Sequence, residues 1–166
     1  MSTAIDIALT VNGERVARRV EARTHLIDFL RLDLGLMGSH AGCEHGLCGA
    51  CTVRVDGKIV RGCLVLAASL DGATVETIEG VSDTGEIRDL QDAFIERNAC
   101  QCGYCTPGML LTAADLLATN PQPTRAEIRE HLSGNYCRCT GYHAIVDAVE
   151  ITAARRNGQG NGKAGA

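Results

Sequence analysis

The chain is expected to be α+β, with strands in its first half and helices in its second. Three observations predict this. Apolar residues alternate with polar or small ones up to about Ile78. From Leu90 onward they recur at helical spacing instead. Between the two patterns lies a polar, Gly-containing stretch, Gly80 to Glu86, that reads as a linker. The expected division is therefore 1–80, 81–155 and a disordered tail, 156–166.

Each element has its own signal. Ile5, Ile7, Leu9 and Val11 alternate as in a half-buried strand. Asn12-Gly13 marks a hairpin, and Arg15 to Val20 is the return strand. Thr24 is a candidate cap for a short helix running to about Asp33, with Leu26, Ile27, Leu30 and Leu34 on one face. A Gly-rich loop, Gly35 to Gly49, follows. Thr52 to Val55 and Lys58 to Arg61 form a second hairpin about Asp56-Gly57, and Ala73 to Ile78 is a last short strand. Together these make a small mixed sheet crossed by one helix.

The second half reads as four short helices. Their apolar faces are Leu90 and Phe94, then Met109, Ala113, Leu116 and Leu117, and finally Tyr142, Ile145, Val146 and Val149. The remaining helix is announced by Thr124 and Glu127, a capping box. Thr106-Pro107 reads as a cap followed by a proline at the first helical position, and Thr140 as the cap of the last helix.

Composition narrows the function. Aromatic residues are 3% of the chain and Trp is absent, so the core must be built from Ala, Val, Leu and Ile. The net charge is −4, and no basic face or charged tail stands out, which argues against nucleic acid or an anionic membrane as partner. No apolar run reaches transmembrane length and the N-terminus lacks signal-peptide features, so a cytoplasmic location is expected.

The nine cysteines are the anomaly. Their number is odd, and a reducing compartment disfavours disulfides, which leaves metal binding or chemistry. Cys43, Cys48, Cys51 and Cys63 have the spacing C-x4-C-x2-C-x11-C, and the first three follow the plant-type ferredoxin run. Four thiolates, two sulfides and two ferric ions carry a charge of about −2, which favours a cradle of backbone N–H groups. Gly38, Gly42, Gly46 and Gly49 would let the loop approach such an anion. The Asp56-Gly57 hairpin can return Cys63 to the loop.

Cys102, Cys105, Cys137 and Cys139 form a second group, C-x2-C-x31-C-x-C. The long gap accommodates two antiparallel helices and would return the last pair opposite the first, with helix N-termini facing the site. A structural zinc also accepts four cysteines, although two C-x2-C knuckles are its commoner pattern. His45, inside the first loop, is a weak Rieske-type alternative, since four cysteines are already present. The other histidines read as surface or satisfied core residues. Arg138 could tune a cluster or be solvated, and Cys100 reads as a small residue without a role.

The stretches GCEHGLCGACTVRVDG, QCGYCTPGM and GNYCRCTGYHAIVDAV closely resemble the iron–sulfur subunit of the molybdenum hydroxylases. This is the xanthine dehydrogenase, aldehyde oxidase and carbon monoxide dehydrogenase family, and the likeness runs from about Ile5 to Val149. The resemblance implies an N-terminal β-grasp ferredoxin-like domain and an all-α four-helix domain, each with one 2Fe–2S cluster. It implies a large subunit carrying molybdopterin with molybdenum and a medium subunit carrying FAD, in a heterotrimer or a dimer of heterotrimers. Electrons would run from molybdenum to the helical-domain cluster, then to the ferredoxin-like cluster, then to flavin. The positions that approach the pterin would be Gln101 and Cys139.

Two features depart from the pattern. Glu44-His45-Gly46-Leu47 differs from the segment typical of carbon monoxide dehydrogenases, which favours an organic substrate: an N-heterocycle, an aldehyde or an aryl-CoA thioester. Cys100 is outside the pattern. A free-standing two-cluster ferredoxin and a zinc-based interaction module are the rival readings.

Overall fold

A computed structural model describes residues 4–158. The first hairpin pairs β1 (Ala4–Val11) with β2 (Glu14–Glu21), placing Leu9 opposite Val16. Asn12 and Gly13 take the left-handed conformation at φ 50° and 84°, as the tight turn requires. The second hairpin pairs β3 (Thr52–Val55) with β4 (Lys58–Arg61) about Asp56-Gly57. The short β5 (Thr74–Glu76) lies parallel to β1 and antiparallel to β3, giving the order β2-β1-β5-β3-β4. This is the expected mixed sheet.

The crossing helix is less regular than expected. It begins as α1 (Leu26–Asp28) and continues as a π-helical turn, Phe29–Asp33. Thr24 does not cap it; the extended residue before the helix is His25, which makes no side-chain cap. Backbone pairing pins this start instead. The Leu26 N–H donates to the Val65 carbonyl at 2.7 Å, and the Thr24 carbonyl accepts from Ala67 N–H at 2.8 Å. The helix buries Leu26, Phe29 and Leu30 against Ile7, Leu9, Val53 and Val75 of the sheet.

The stretch expected as a linker is mostly helix. Thr77 alone separates β5 from α2 (Ile78–Asp83). The polar residues of this segment occupy one side of a helix whose Ile78 and Val81 enter the helical core, so the segment is amphipathic rather than a linker. Thr77 is itself fully buried and bonded. Its N–H donates to Asn12 Oδ1 at 2.8 Å and its hydroxyl donates to Glu79 Oε2 at 2.6 Å. The last strand accordingly ends at Glu76 rather than Ile78.

The four expected helices follow: α3 (Arg88–Glu96), α4 (Thr106–Thr119), α5 (Arg125–Leu132) and α6 (His143–Arg156). Both arms of the Thr124–Glu127 capping box form. Arg155–Glu96 and Arg156–Asp89 join α6 to α3, and Arg125 joins α5 to Asp147 and Glu150 of α6. Arg156 thus ends a helix rather than opening the tail, and residues 159–166 of the expected tail lie outside the described residues. The cores use Ala, Val, Leu and Ile as expected, but Phe29 and Phe94, the two phenylalanines of the chain, are also buried.

Two substitutions separate core from cap. Phe29→Ala is expected to destabilise by roughly 3–5 kcal/mol, and Thr124→Ala by about 1 kcal/mol. Urea denaturation midpoints of the two variants check the ordering.

Candidate iron–sulfur sites

Loop 35–51 carries three cysteines of the first quartet, and Cys63 follows β4. The β3–β4 hairpin returns Cys63 to Cys51, with Gly62 N–H donating to the Cys51 carbonyl at 3.0 Å. Cys51 and Cys63 are buried together, packed with Ile27. Cys43 and Cys48 form the other pair and are half-buried. The Cys48 N–H donates to Cys43 Sγ at 3.3 Å.

The glycines of this loop do different jobs. A Cβ on Gly42 would lie 2.9 Å from Cys48 Sγ, so this glycine makes room at the sulfurs. A Cβ on Gly38 would instead meet Ile78 and Glu79 of α2, and one on Gly46 would meet Leu64. The expectation that all four glycines serve the anion is corrected by those contacts. His45 turns its Nδ1 to the Cys43 carbonyl.

The second quartet also forms two pairs. Cys139 Sγ donates to Cys102 Sγ at 3.5 Å, and Cys105 is close enough to Cys137 for that thiol to raise its pKa. Cys102 and Cys139 are exposed, whereas Cys105 and Cys137 are half-buried. Cys105 is the residue preceding α4, which starts at Thr106, so Thr106 is not the cap. Its hydroxyl donates to Cys100 Sγ at 3.4 Å, and Cys100 is exposed. Thr140 does not cap α6 either. That helix follows Tyr142, whose backbone is left-handed at φ 68°. The Thr140 hydroxyl accepts from Tyr142 N–H at 3.1 Å and lies 3.1 Å from Cys137 Sγ. It has been recruited to a sulfur. Gln101 and Arg138 are both exposed beside this quartet.

Two pairs of sulfurs per quartet fit a two-iron cluster, in which each iron takes two cysteines. A single zinc needs all four sulfurs around one point at about 2.3 Å.

The quartets are neighbours, which spacing alone did not reveal. The Tyr136 N–H donates to the Cys48 carbonyl at 2.8 Å. Tyr104, between Cys102 and Cys105, stacks on His40 with ring centroids 4.5 Å apart and donates its hydroxyl to the Ala41 carbonyl. His40 Nδ1 in turn bonds the Tyr104 carbonyl at 2.8 Å. The buried Asn135 reaches the Gly49 carbonyl with Nδ2 at 3.2 Å. Sequence reasoning missed His40, Tyr104 and Asn135 as joining residues. The only available signal was their position beside the cysteine motifs.

Local electrostatics distinguish the thiols. The backbone N–H groups of Cys48 and His45 stabilise the Cys43 thiolate and lower its pKa to about 6. Burial pushes Cys51 up to about 11 and Cys105 up to about 12, the latter reinforced by Cys137. The Tyr104 N–H lowers Cys102, and the thiol it receives from Cys139 leaves Cys139 raised. In cluster-free protein, Cys43 is therefore a thiolate above about pH 6 and Cys105 remains a thiol until about pH 12. Iodoacetamide at pH 7 should label Cys43 well before Cys105, and acidification to pH 5 should suppress that labelling. Peptide mass mapping checks both results.

Residues 9–105 match the 2Fe-2S iron-sulfur cluster binding domain and residues 77–150 match the 2Fe-2S binding domain. The chain is 50% identical to the nicotine 6-hydroxylase small subunit of Paenarthrobacter nicotinovorans, over 97% of this chain and 96% of that one. It is 48% identical to caffeine dehydrogenase subunit gamma of a Pseudomonas species, over 87% and 88% of the two chains. Among solved structures, quinoline 2-oxidoreductase from Pseudomonas putida superposes with a TM-score of 0.86 at 47% identity, over 95% of this chain and 99% of that one. With both cluster-binding domains matched and relatives of this identity spanning nearly the whole chain, the protein belongs to the small iron–sulfur subunits of the molybdenum hydroxylase family.

Proposed function

We propose that this chain relays electrons within a molybdenum-dependent hydroxylase, from a molybdopterin centre on a large subunit to FAD on a medium subunit. The observation that carries the reading is the arrangement of eight cysteines as two adjacent quartets, each made of two sulfur pairs. When bound, 2Fe–2S clusters supply one-electron transfer. Cys43, Cys48, Cys51 and Cys63 would hold one, and Cys102, Cys105, Cys137 and Cys139 the other. The protein's part is to orient the thiolates, bury Cys51 and Cys63, and present Cys102 and Cys139 at the surface. The substrate chemistry belongs to the large subunit.

The exposure of Cys102 and Cys139 supports the second quartet as the entry point. Gln101 precedes Cys102 and is exposed, with a donor and an acceptor that suit the amide-like edge of a pterin. We assign Gln101 and Cys139 to that contact. The nicotine and caffeine relatives and the quinoline enzyme support an N-heterocycle as substrate, with an aldehyde as the other organic class. Leu47 and Leu64 are exposed near the first quartet, and Tyr104 and Tyr136 near the second, which supports docking of partner subunits there. A heterotrimer or its dimer follows from this reading. No described helix is long and apolar enough to cross a membrane. Assignment of eight cysteines to clusters rather than to disulfides supports a reducing, cytoplasmic setting.

The separate buried clusters support two domains, divided near Thr77, with the sheet core on one side and the helical core on the other. A free-standing ferredoxin is the rival, and co-purification of large and medium subunits with the tagged chain separates the two.

Iron analysis of anaerobically purified protein should find about four iron and four labile sulfide per chain. Zinc in place of iron would defeat the assignment. Cys48→Ser should perturb only the first cluster's EPR signal, and Cys105→Ser only the second's. Gln101→Ala should leave both signals intact while slowing their reduction by substrate in the assembled complex. Stopped-flow bleaching of the cluster absorbance measures that rate, and an unchanged rate would remove the pterin role.

A further inference from the structure

We propose that Asn135 is a positioning residue whose side-chain amide sets how the two cysteine quartets sit relative to each other, and so the coupling between the clusters they hold. The inference rests on the reading of both quartets as 2Fe–2S sites. It starts from a buried polar group. Asn135 is 1% exposed, and such an amide is retained only where its bonds are made. Its Nδ2 donates to the Gly49 carbonyl at 3.2 Å. Its Oδ1 accepts from Thr112 Oγ1 at 3.1 Å and from Arg61 Nη2 at 3.1 Å. One side chain thereby joins the 48–51 ligand turn, the end of β4 and the middle of α4.

Three glycines make the space for this joint. A Cβ on Gly49 would lie 2.7 Å from Asn135 Cγ and from the Gly134 carbonyl oxygen, and the φ of +75° further favours glycine there. A Cβ on Gly108 would overlap the Gly49 carbonyl oxygen and sit 3.1 Å from Asn135 Nδ2. A Cβ on Gly134 would lie 2.8 Å from Arg61 Nη2. Arg61 also donates to the Gly134 carbonyl at 2.8 Å and to the Thr52 hydroxyl.

The neighbours of Asn135 lead straight to the ligands. Gly49 lies between Cys48 and Cys51. Tyr136, the next residue, donates its N–H to the Cys48 carbonyl at 2.8 Å. On the other side, the Tyr142 hydroxyl accepts the Cys137 N–H at 3.0 Å and donates to the Asn135 carbonyl at 3.3 Å. Both ligand turns are hydrogen-bonded to the same dipeptide, which places Asn135 to set the spacing of the quartets beside the His40–Tyr104 contact.

The discriminating variant is Asn135→Asp in the full chain assembled with its partner subunits. Aspartate keeps acceptors for Thr112 and Arg61 but turns an oxygen toward the Gly49 carbonyl, where a donor was. Three readings are taken: iron content, the EPR signal of each cluster when it alone is reduced, and the spin–spin interaction when both are reduced. The expected result is full iron, two recognisable single-cluster signals and loss or marked weakening of the spin–spin interaction. Full iron with an unchanged interaction would overturn the positioning role.

If Asn135→Asp does not fold, Thr112→Val decides by the same criteria, because it removes one hydroxyl donor at nearly constant volume. Thr112→Ser, which keeps that donor, should then restore the interaction. An unmodified protein lacking iron would overturn the cluster reading itself, and it is distinguished by the iron assay that precedes the spectra.

Discussion

The join between the sheet and the helices is centred on one buried amide. The Asn135 side chain satisfies both its donor and its acceptor by bridging the first cysteine loop, the sheet edge and α4. An unpaired buried amide would be costly, so the joint is made fully or not at all. The glycines around it are consequences, since any side chain at Gly49, Gly108 or Gly134 would occupy the space the amide and Arg61 need.

Other contacts reinforce the same join at a distance. Arg54 of β3 makes a two-pronged ion pair with Glu86, and burial of the Arg54 side chain makes this more than a surface pair. Glu86 accordingly has its carboxyl held below the ordinary carboxylate range by that guanidinium. Asn12, in the first hairpin turn, bonds Thr77 in both directions. The stacked His40–Tyr104 pair closes the third contact beside the cysteines. Among the described residues the sheet core and the helical core are separate apolar clusters, and polar, directional contacts link them. Directional contacts suit a relay, because they define distance and orientation where apolar packing alone tolerates sliding.

The two quartets differ in exposure in a way that suits a path with two ends. Cys51 and Cys63 are buried, while Cys102 and Cys139 lie at the surface. The exposed pair can face a partner's cofactor, and the half-buried Cys48 and Cys137 lie where the two loops touch through Tyr136.

The hairpins and the mixed sheet followed from period-two alternation and from Asn-Gly and Asp-Gly turns, which act locally. The capping box on α5 was equally local. The two cysteine quartets were legible because ligand spacing is a property of the chain itself. Tertiary structure decided what depends on partners distant in sequence. Backbone pairing with residues 65–67 decided where α1 begins, overriding the Thr24 cap. The helical core claimed Ile78 and Val81 and turned an apparent linker into α2. Sulfur claimed the hydroxyls of Thr106 and Thr140 before helix termini could use them. The division of each quartet into pairs, and the amide that sets the quartets side by side, also emerged only on folding. Gly49 and Asn135 are 86 residues apart, and no local pattern encodes a hydrogen bond of that reach.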